Sequence, residues 1–143
     1  MNKLLKNLIG WILYLAVLVG LVYGIPKGLA LLLKTDYPLA SITSGSMWPA
    51  LKKGDLVVIK GIENKEEIQV GDIIVYKNQK GFTIHRVTKI SSETVTTKGD
   101  ANNVYDPPVE YEEIIGKALT FNQKPLRIPL IGSVSLLINK DKL

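Results

Sequence analysis

Three polar segments of this sequence carry residue types that could perform chemistry together. In the first, Ser44 and Ser46 flank a glycine and are followed by Met-Trp-Pro. The second contains His85, the only histidine, and the third is an Asn-rich stretch between Asp100 and Asp106. A serine nucleophile needs a nearby base and hydrogen-bond donors for the oxyanion. A hydroxyl, an imidazole and a carboxylate are therefore available for acyl transfer.

Each segment taken alone also has an ordinary structural interpretation. A Ser-Gly-Ser tripeptide is common in flexible loops, and Met47 with Trp48 could form a surface loop that dips towards lipid. A lone histidine on a strand is more often packed or solvated than catalytic. Asp and Asn residues form Asx-turns, and the third segment lacks the alternating ligands and closing Glu of an EF-hand.

The composition argues against metal and redox chemistry. The chain has no cysteine and one histidine, so a zinc site built from Cys and His ligands is excluded. No disulfide can form, which leaves the redox compartment open. We expect no metal and no cofactor.

The positive charge is concentrated at the N-terminus. The chain has 143 residues, within the usual range for one compact domain, with 18 basic and 13 acidic side chains. Residues 1–34 contain four lysines and no acid, whereas residues 35–143 hold the other 14 basic and all 13 acidic groups. A body with a net charge of +1 lacks the basic surface of a nucleic-acid binder, so no nucleic-acid partner is expected.

An uncharged N-terminal segment predicts a membrane anchor over residues 1–34. The 20 residues from Asn7 to Pro26 carry no charge, and as a helix they would span roughly 30 Å, the thickness of a bilayer core. A buried helix would need more apolar cover than about 100 further residues supply. A cleaved secretory signal is the other alternative, since Gly28-Leu29-Ala30 offers small residues at a cleavage site. The apolar run exceeds the usual 7–15-residue core of such a signal, which favours a retained anchor.

The flanking charges predict the orientation of this single-pass anchor. Lys3, Lys6 and the α-amino group precede the span, whereas Lys27 and Lys34 follow it and are partly offset by Asp36. The positive-inside rule favours a cytoplasmic N-terminus. The body is then expected on the extracytoplasmic face of the cell membrane.

Residues 35–143 have the pattern of a compact, mainly β domain. Short β-rich runs are punctuated by glycines about ten residues apart, a spacing typical of an all-β sandwich or barrel. The predicted strands are residues 55–60, 72–77, 82–90, 93–98 and 114–121. The strand over residues 82–90 is predicted to alternate, with Phe82 and Ile84 on one face and His85 and Val87 on the other. The tail over residues 125–138 is predicted to be a final strand or a membrane-surface edge.

Taken together, the three polar segments are much more specific than any one of them. Ser44-Gly-Ser-Met-Trp-Pro49, His85-Arg-Val87 and Gly99-Asp-Ala-Asn-Asn-Val-Tyr-Asp106 resemble type I signal peptidases, specifically the endoplasmic-reticulum (ER)-type branch. The resemblance covers the anchor and residues from about 44 to 121. It implies a signal-peptidase-like β domain that removes signal peptides from secretory preproteins after small residues. Its partners would be those preproteins and the lipid bilayer; accessory subunits remain unidentified.

The resemblance also implies roles for individual residues. Ser46, directly before Met, corresponds to the nucleophile, His85 to the base, and Asp106 to the acid of the triad. Asp100 is implied in a supporting role and Ser44 in an oxyanion hole. The sequence has Ala101 where Asn is frequent and Ala50 where Thr is frequent, but neither change removes a chemically necessary group.

Two other functions are compatible with parts of the pattern. A catalytically silent, membrane-anchored β domain that binds peptides or proteins would need the anchor and strands, but not the three polar segments. A Ser/Lys peptidase would use Lys77, Lys89 or Lys98 as its base. The His85-Arg86 pair argues against this second alternative.

Overall fold

The chain consists of a helical unit and a β unit. The computed structural model describes residues 2–79 and 81–132. The chain divides between Leu32 and Leu33 into two compact units.

Helix α1 has the length and composition of a membrane span. It extends from Lys3 to Leu33, so its 31 residues measure about 46 Å at 1.5 Å per residue. Side chains over residues 2–28 are exposed, and a helix that is apolar all round requires an apolar environment. The helix continues past Pro26 and includes Gly28-Leu29-Ala30. By length and composition, α1 can cross a membrane.

The β unit is built from short strands and two 3-10 turns. The described strands are β1 (Leu39–Ser41), β2 (Leu56–Lys60), β3 (Ile73–Asn78), β4 (Gly81–Ile90), β5 (Thr94–Lys98), β6 (Val109–Glu110), β7 (Ile114–Ala118), β8 (Thr120–Phe121), β9 (Lys124–Pro125) and β10 (Arg127–Ile128). The 3-10 turns are Lys65–Glu67 and Tyr111–Glu113.

Eight strands form one antiparallel sheet. The order is β1-β2-β7-β3-β4-β5-β6, and β10 also pairs with β2. Strands β8 and β9 form a separate hairpin. The chain is therefore mainly β after an N-terminal apolar helix, as its sequence predicts.

The sheet is buried on both of its faces where β3 crosses it. Ile73 and Val75 belong to one core cluster, with residues that include Ile42, Met47, Leu51, Val57 and Ile59. Ile74 and Tyr76 belong to a second cluster, with residues that include Ile68, Val87, Val95 and Val109. Successive side chains of a strand point to opposite faces, so the unbroken apolar run in β3 supplies both clusters. This central strand gives the neighbouring β4 a rigid support.

Two details of the strands differ from the sequence prediction. The strand predicted over residues 114–121 breaks at Leu119, because β8 leaves the sheet to pair with β9. Asn122 and Gln123 both have positive φ, 49° and 63°, as in the two-residue type I′ turn that favours hairpins. The alternation predicted along β4 holds only to Val87, because the register with β5 shifts between Val87 and Lys89.

The predicted C-terminal tail is described only in part. Strand β10 pairs antiparallel with β2, and its Arg127 donates a hydrogen bond to the buried carboxylate of Asp55. The remainder of the predicted tail after Gly132 lies outside the described residues.

Replacing a core side chain of β3 should destabilise the β unit strongly. Ile74 is fully buried, so Ile74→Ala should lower the free energy of unfolding by about 2–5 kcal/mol through lost burial and the cavity left behind. Val70→Ala is the matched control, since Val70 is exposed and its change should stay within about 0.5 kcal/mol. Urea titration in detergent, followed by Trp48 fluorescence in a Trp11→Phe background, measures both. Equal losses for the two variants would contradict this account of the core.

Candidate active site

Ser46 lies on a loop between β1 and β2 that is anchored in the hydrophobic core. Met47 and Leu51 are fully buried in the first core cluster, and the Leu51 amide donates to the Met47 carbonyl. Because Met47 is buried and only Trp48 is exposed, the two side chains do not form an apolar pair at the surface, which was the alternative interpretation of this segment. The buried Met47 holds the adjacent Ser46 at the surface of the β unit, where its side chain is partly accessible.

His85 lies on β4 and is hydrogen-bonded at both ring nitrogens. Its backbone pairs with Ile74 of β3, and only 8% of the residue is exposed. Nε2 is 3.1 Å from Ser46 Oγ, and Nδ1 is 2.6 Å from Asp106 Oδ2. The structure thus brings together three residues separated by 39 and 21 positions in the chain.

These two hydrogen bonds define which ring nitrogen can accept a proton. A carboxylate only accepts hydrogen bonds, so Asp106 requires a proton on Nδ1. In the neutral imidazole the other nitrogen, Nε2, then has a free lone pair, which accepts the Ser46 hydroxyl proton. This arrangement can deprotonate the serine and stabilise the imidazolium that forms.

Asp100 lies in the same loop as Asp106 but has a different partner. Its two carboxylate oxygens accept hydrogen bonds from Arg86 Nε and Nη2 at 2.8 and 2.7 Å. Arg86 also donates to the Gly71 carbonyl at 2.8 Å. The Asp100 hydrogen bonds raise the pKa of Arg86 above its already high value. This bidentate pair ties the start of the loop to β4, one residue from His85.

The loop after Asp100 also contacts the backbone of Ser46. The Ala101 amide donates to the Ser46 carbonyl at 2.8 Å. A Cβ atom on Gly99 would lie 2.7 Å from the same carbonyl oxygen and 2.7 Å from the Asn102 side-chain nitrogen. Because such distances are too short for carbon, only glycine allows this approach of the two loops.

Ser44 is the other hydroxyl beside Ser46. Its Oγ is 3.1 Å from Ser46 Oγ, and the Ser46 amide donates to it at 3.5 Å. Ser44 therefore adds a second hydroxyl next to the Ser46 backbone N–H. Donors grouped in this way can stabilise a developing oxyanion.

A cavity of about 320 Å³ opens beside Ser46 and His85. Its walls include Ala40 and Ile42 from the region of β1, and Phe82 and Ile84 from β4. A second cavity, of about 560 Å³, is also bordered by His85 and in addition by Asp106. Strand β4 thus supplies part of the wall of the first cavity.

The lysines of the Ser/Lys alternative lie in other surroundings. Lys77 and Lys89 are exposed on β3 and β4, and Lys98 Nζ lies 5.5 Å from the centre of the Tyr105 ring. The side-chain nitrogen hydrogen-bonded to Ser46 Oγ belongs to His85.

Sequence reasoning missed one residue that contacts Asp106. Thr97 of β5 is fully buried and donates to Asp106 Oδ2 at 2.6 Å. Strand alternation is the signal that could have found it, since Thr97 shares a face with the apolar Val95, whereas Thr94 and Thr96 lie on the opposite face.

Comparison with known proteins gives a family and named relatives. Residues 24–119 match the family described as Peptidase S24-like. The chain is 30% identical to the signal peptidase complex catalytic subunit SEC11C of Homo sapiens over 154 residues, covering 97% of this chain and 76% of the relative. It is 32% identical to the catalytic subunit sec11 of Sclerotinia sclerotiorum over 145 residues, covering 90% and 80%. It is also 32% identical to SEC11 of Metarhizium robertsii over 129 residues, covering 80% and 71%.

The close approach of Gly99 to Ser46 predicts a stability cost for a methyl group at this position. Gly99→Ala should lower the free energy of unfolding by about 1–3 kcal/mol, because the added carbon forces one of the two loops to move. Gly45→Ala is the control: it lies next to Ser46, but a Cβ there meets nothing within 4 Å. Urea titration of both full-length variants tests this, and a Gly99→Ala protein as stable as Gly45→Ala would contradict the packing described here.

Proposed function

This chain belongs to the Peptidase S24-like family and to its ER-type signal peptidases, and we propose that it is a membrane-anchored serine endopeptidase that removes signal peptides from secretory preproteins. The family match over residues 24–119 and the SEC11 relatives support this activity. The observation that carries the proposal is the pair of hydrogen bonds that links Ser46, His85 and Asp106.

In the proposed reaction, Ser46 Oγ attacks the carbonyl carbon of the scissile peptide bond. His85 Nε2 takes the hydroxyl proton, and the carbonyl oxygen becomes an oxyanion near the Ser46 amide and Ser44 Oγ. The imidazolium then gives its proton to the leaving amine, so that the peptide bond breaks and an ester to Ser46 remains. Asp106 stabilises the imidazolium through Nδ1 and keeps the ring oriented.

The second half of the reaction uses the same groups on water. His85 Nε2 takes a proton from water, whose oxygen attacks the ester carbonyl carbon. The proton then returns to Ser46 Oγ as the ester bond breaks. The signal peptide leaves with a new carboxylate, and the serine is regenerated without a cofactor.

The surroundings of the smaller cavity favour an extended peptide substrate. In the described residues, β5 pairs with β4 only from Arg86 onwards, so the Phe82–His85 segment has one side without a strand partner. An extended peptide can add to such an open side through backbone hydrogen bonds. The cavity walls, with Ala40, Ile42 and Ile84, then suit small side chains near the cleaved bond, in agreement with the substrate preference that the resemblance implies.

The anchor and its flanking charges support a cytoplasmic N-terminus and an extracytoplasmic β domain, residues 35–143. Lys3 and Lys6 precede the apolar segment. Of the two lysines that follow it, Lys34 pairs with Glu63 at 2.6 Å, which reduces the positive charge on that side. The positive-inside rule then favours the orientation with Lys3 and Lys6 in the cytoplasm.

The expected partners follow from the same proposal. Secretory preproteins are the substrates, and the bilayer holds the anchor. The relatives are named as catalytic subunits of a signal peptidase complex, so we infer that this chain also works with accessory subunits.

Substitution of the proposed nucleophile or base should abolish processing. Ser46→Ala and His85→Ala should each reduce the single-turnover rate on a preprotein by at least about 10³-fold, and the double variant should be scarcely worse, because triad members act as a unit. Ser91→Ala is a control serine that hydrogen-bonds within its own turn, and it should retain full activity. Gel analysis with the enzyme in liposomes measures each rate. Turnover by Ser46→Ala close to that of the unmodified enzyme would contradict Ser46 as the nucleophile, whereas no turnover by the unmodified protein would favour the peptide-binding alternative.

The topology proposal is tested on intact cells. Protease added outside should digest the β unit, and mass spectrometry should find the segment before Gly28 still attached to the protein. Gly28-Leu29-Ala30 lies within α1, whereas proteases bind extended segments, so cleavage there is not expected. A mature chain that begins at Leu31 would show instead that the segment is a removed signal, and a β unit resistant to external protease but sensitive after cell lysis would reverse the orientation.

A further inference from the structure

One oxygen atom of Asp106 accepts hydrogen bonds from two different side chains. Oδ2 lies 2.6 Å from His85 Nδ1 and 2.6 Å from Thr97 Oγ1. The backbone of the same threonine is also involved, because its carbonyl accepts a hydrogen bond from the Asp106 amide at 2.9 Å. Thr97 thus holds both the main chain and the carboxylate of Asp106.

The hydroxyl of Thr97 is itself held by a buried tyrosine. Thr97 Oγ1 is 3.3 Å from the Tyr76 hydroxyl oxygen, and only 4% of Tyr76 is exposed. A threonine hydroxyl has one proton, and the shorter contact with the charged acceptor places that proton towards Asp106. The Tyr76 hydroxyl oxygen is the second and longer contact of the Thr97 hydroxyl, so this hydroxyl is held between Tyr76 and Asp106.

The surroundings of Tyr76 keep its hydroxyl neutral. Burial, together with the nearby negative charge of Asp106, raises the pKa of Tyr76 above its usual value of 10.0. The phenol therefore keeps its proton throughout the neutral pH range. A neutral phenol places no second negative charge beside Asp106.

Asp106 needs such support because of its position in the structure. It lies in the loop between β5 and β6, and it borders the cavity of about 560 Å³, from which water can compete for the carboxylate. Thr97, by contrast, lies within β5, which pairs with β4 on one side and β6 on the other. A donor on this strand can fix the carboxylate rotamer relative to His85, which β4 carries.

We propose that Thr97, supported by Tyr76, is a positioning residue that holds Asp106 Oδ2 against His85 Nδ1 and so selects the imidazole tautomer needed for proton abstraction from Ser46. This inference rests on the proposed peptidase function, although its effect on the ring is separately measurable. Thr97 does not itself contact the substrate or the reacting atoms.

The kinetic test replaces the hydroxyl and leaves the shape of the side chain. Thr97→Val should lower kcat for preprotein cleavage about 10- to 100-fold and leave KM within about 2-fold. The substitution removes a hydrogen bond to the charged Asp106, which orients the base, and it removes no contact with the substrate. Thr97→Ser, which keeps the hydroxyl, should remain within about 3-fold of the unmodified enzyme. Tyr76→Phe should have a smaller effect, about 2- to 5-fold.

Thr88→Val is the matched control for the same chemical change. Thr88 lies on β4 and is partly buried, and its hydroxyl donates to the Thr96 carbonyl at 3.0 Å, away from Asp106. Its replacement should leave kcat unchanged within about 2-fold. A comparable loss of kcat in Thr88→Val and Thr97→Val would show a general effect of removing a buried hydroxyl and would overturn the proposal.

A spectroscopic test uses the fact that the chain has a single histidine. With ¹⁵N-histidine labelling in detergent micelles, the unmodified protein should show one ring with its proton on Nδ1. Thr97→Val should exchange this proton faster with water or populate the Nε2-protonated tautomer, whereas Thr97→Ser and Thr88→Val should match the unmodified spectrum. An unchanged histidine spectrum in Thr97→Val, whatever its kcat, would overturn the positioning role.

The two tests separate this inference from the proposed function. If the unmodified protein, like Ser46→Ala, does not process the preprotein, the peptidase proposal fails, while a changed histidine spectrum in Thr97→Val still supports the tautomer claim. If Ser46→Ala is inactive but Thr97→Val has normal kcat, the peptidase function stands and the positioning role of Thr97 is wrong.

Discussion

The hydrogen bond between Asp106 and His85 is the interaction on which the geometry of the site depends. It requires a proton on Nδ1 and therefore leaves Nε2 free to face Ser46, 3.1 Å away. Without it, either ring nitrogen could carry the proton, and one of the two arrangements cannot act as a base towards serine. The loops and strands around the site serve to keep these three side chains in one arrangement.

The β sheet supplies the rigid part of this arrangement. Strand β3 fills a core cluster on each side of the sheet, and β4, which carries His85, pairs with it along six residue pairs. The two acids of the Asn-rich loop have different roles. Asp100 ties the loop to β4 through Arg86, which brings Asp106 to the imidazole. Because an arginine–carboxylate pair is bidentate, it fixes direction as well as distance.

A serine site of this size gains from attachment to a membrane. The open side of the Phe82–His85 segment and a cavity of about 320 Å³ provide only a short contact with an extended peptide. Holding enzyme and signal peptide in the same bilayer raises their effective concentration and compensates for a small binding surface. The apolar helix thus supplies the attachment to the bilayer, and the β unit supplies the catalytic residues.

The sequence by itself determined the features that depend on local composition. Twenty uncharged residues predict a spanning helix, because a helix satisfies its backbone hydrogen bonds within the segment. β-rich runs between glycines predict most of the strands, although the break at Leu119 depends on the pairing of β8 with β9. The three polar segments, once recognised together, name Ser46, His85 and Asp106 through the resemblance, and the structure brings these side chains within hydrogen-bond distance.

Only the tertiary structure shows the physical basis of the two acids' different roles: Asp106 meets the imidazole, whereas Asp100 pairs with Arg86. Asp100 and Asp106 are chemically identical side chains, and the contact of Thr97 with Asp106 depends on where the loop after β5 places that carboxylate. Their roles are separated by strand register and by the ion pair with Arg86. Register is the outcome of many weak contacts between residues far apart in the chain, so no residue type at a single position can reveal it.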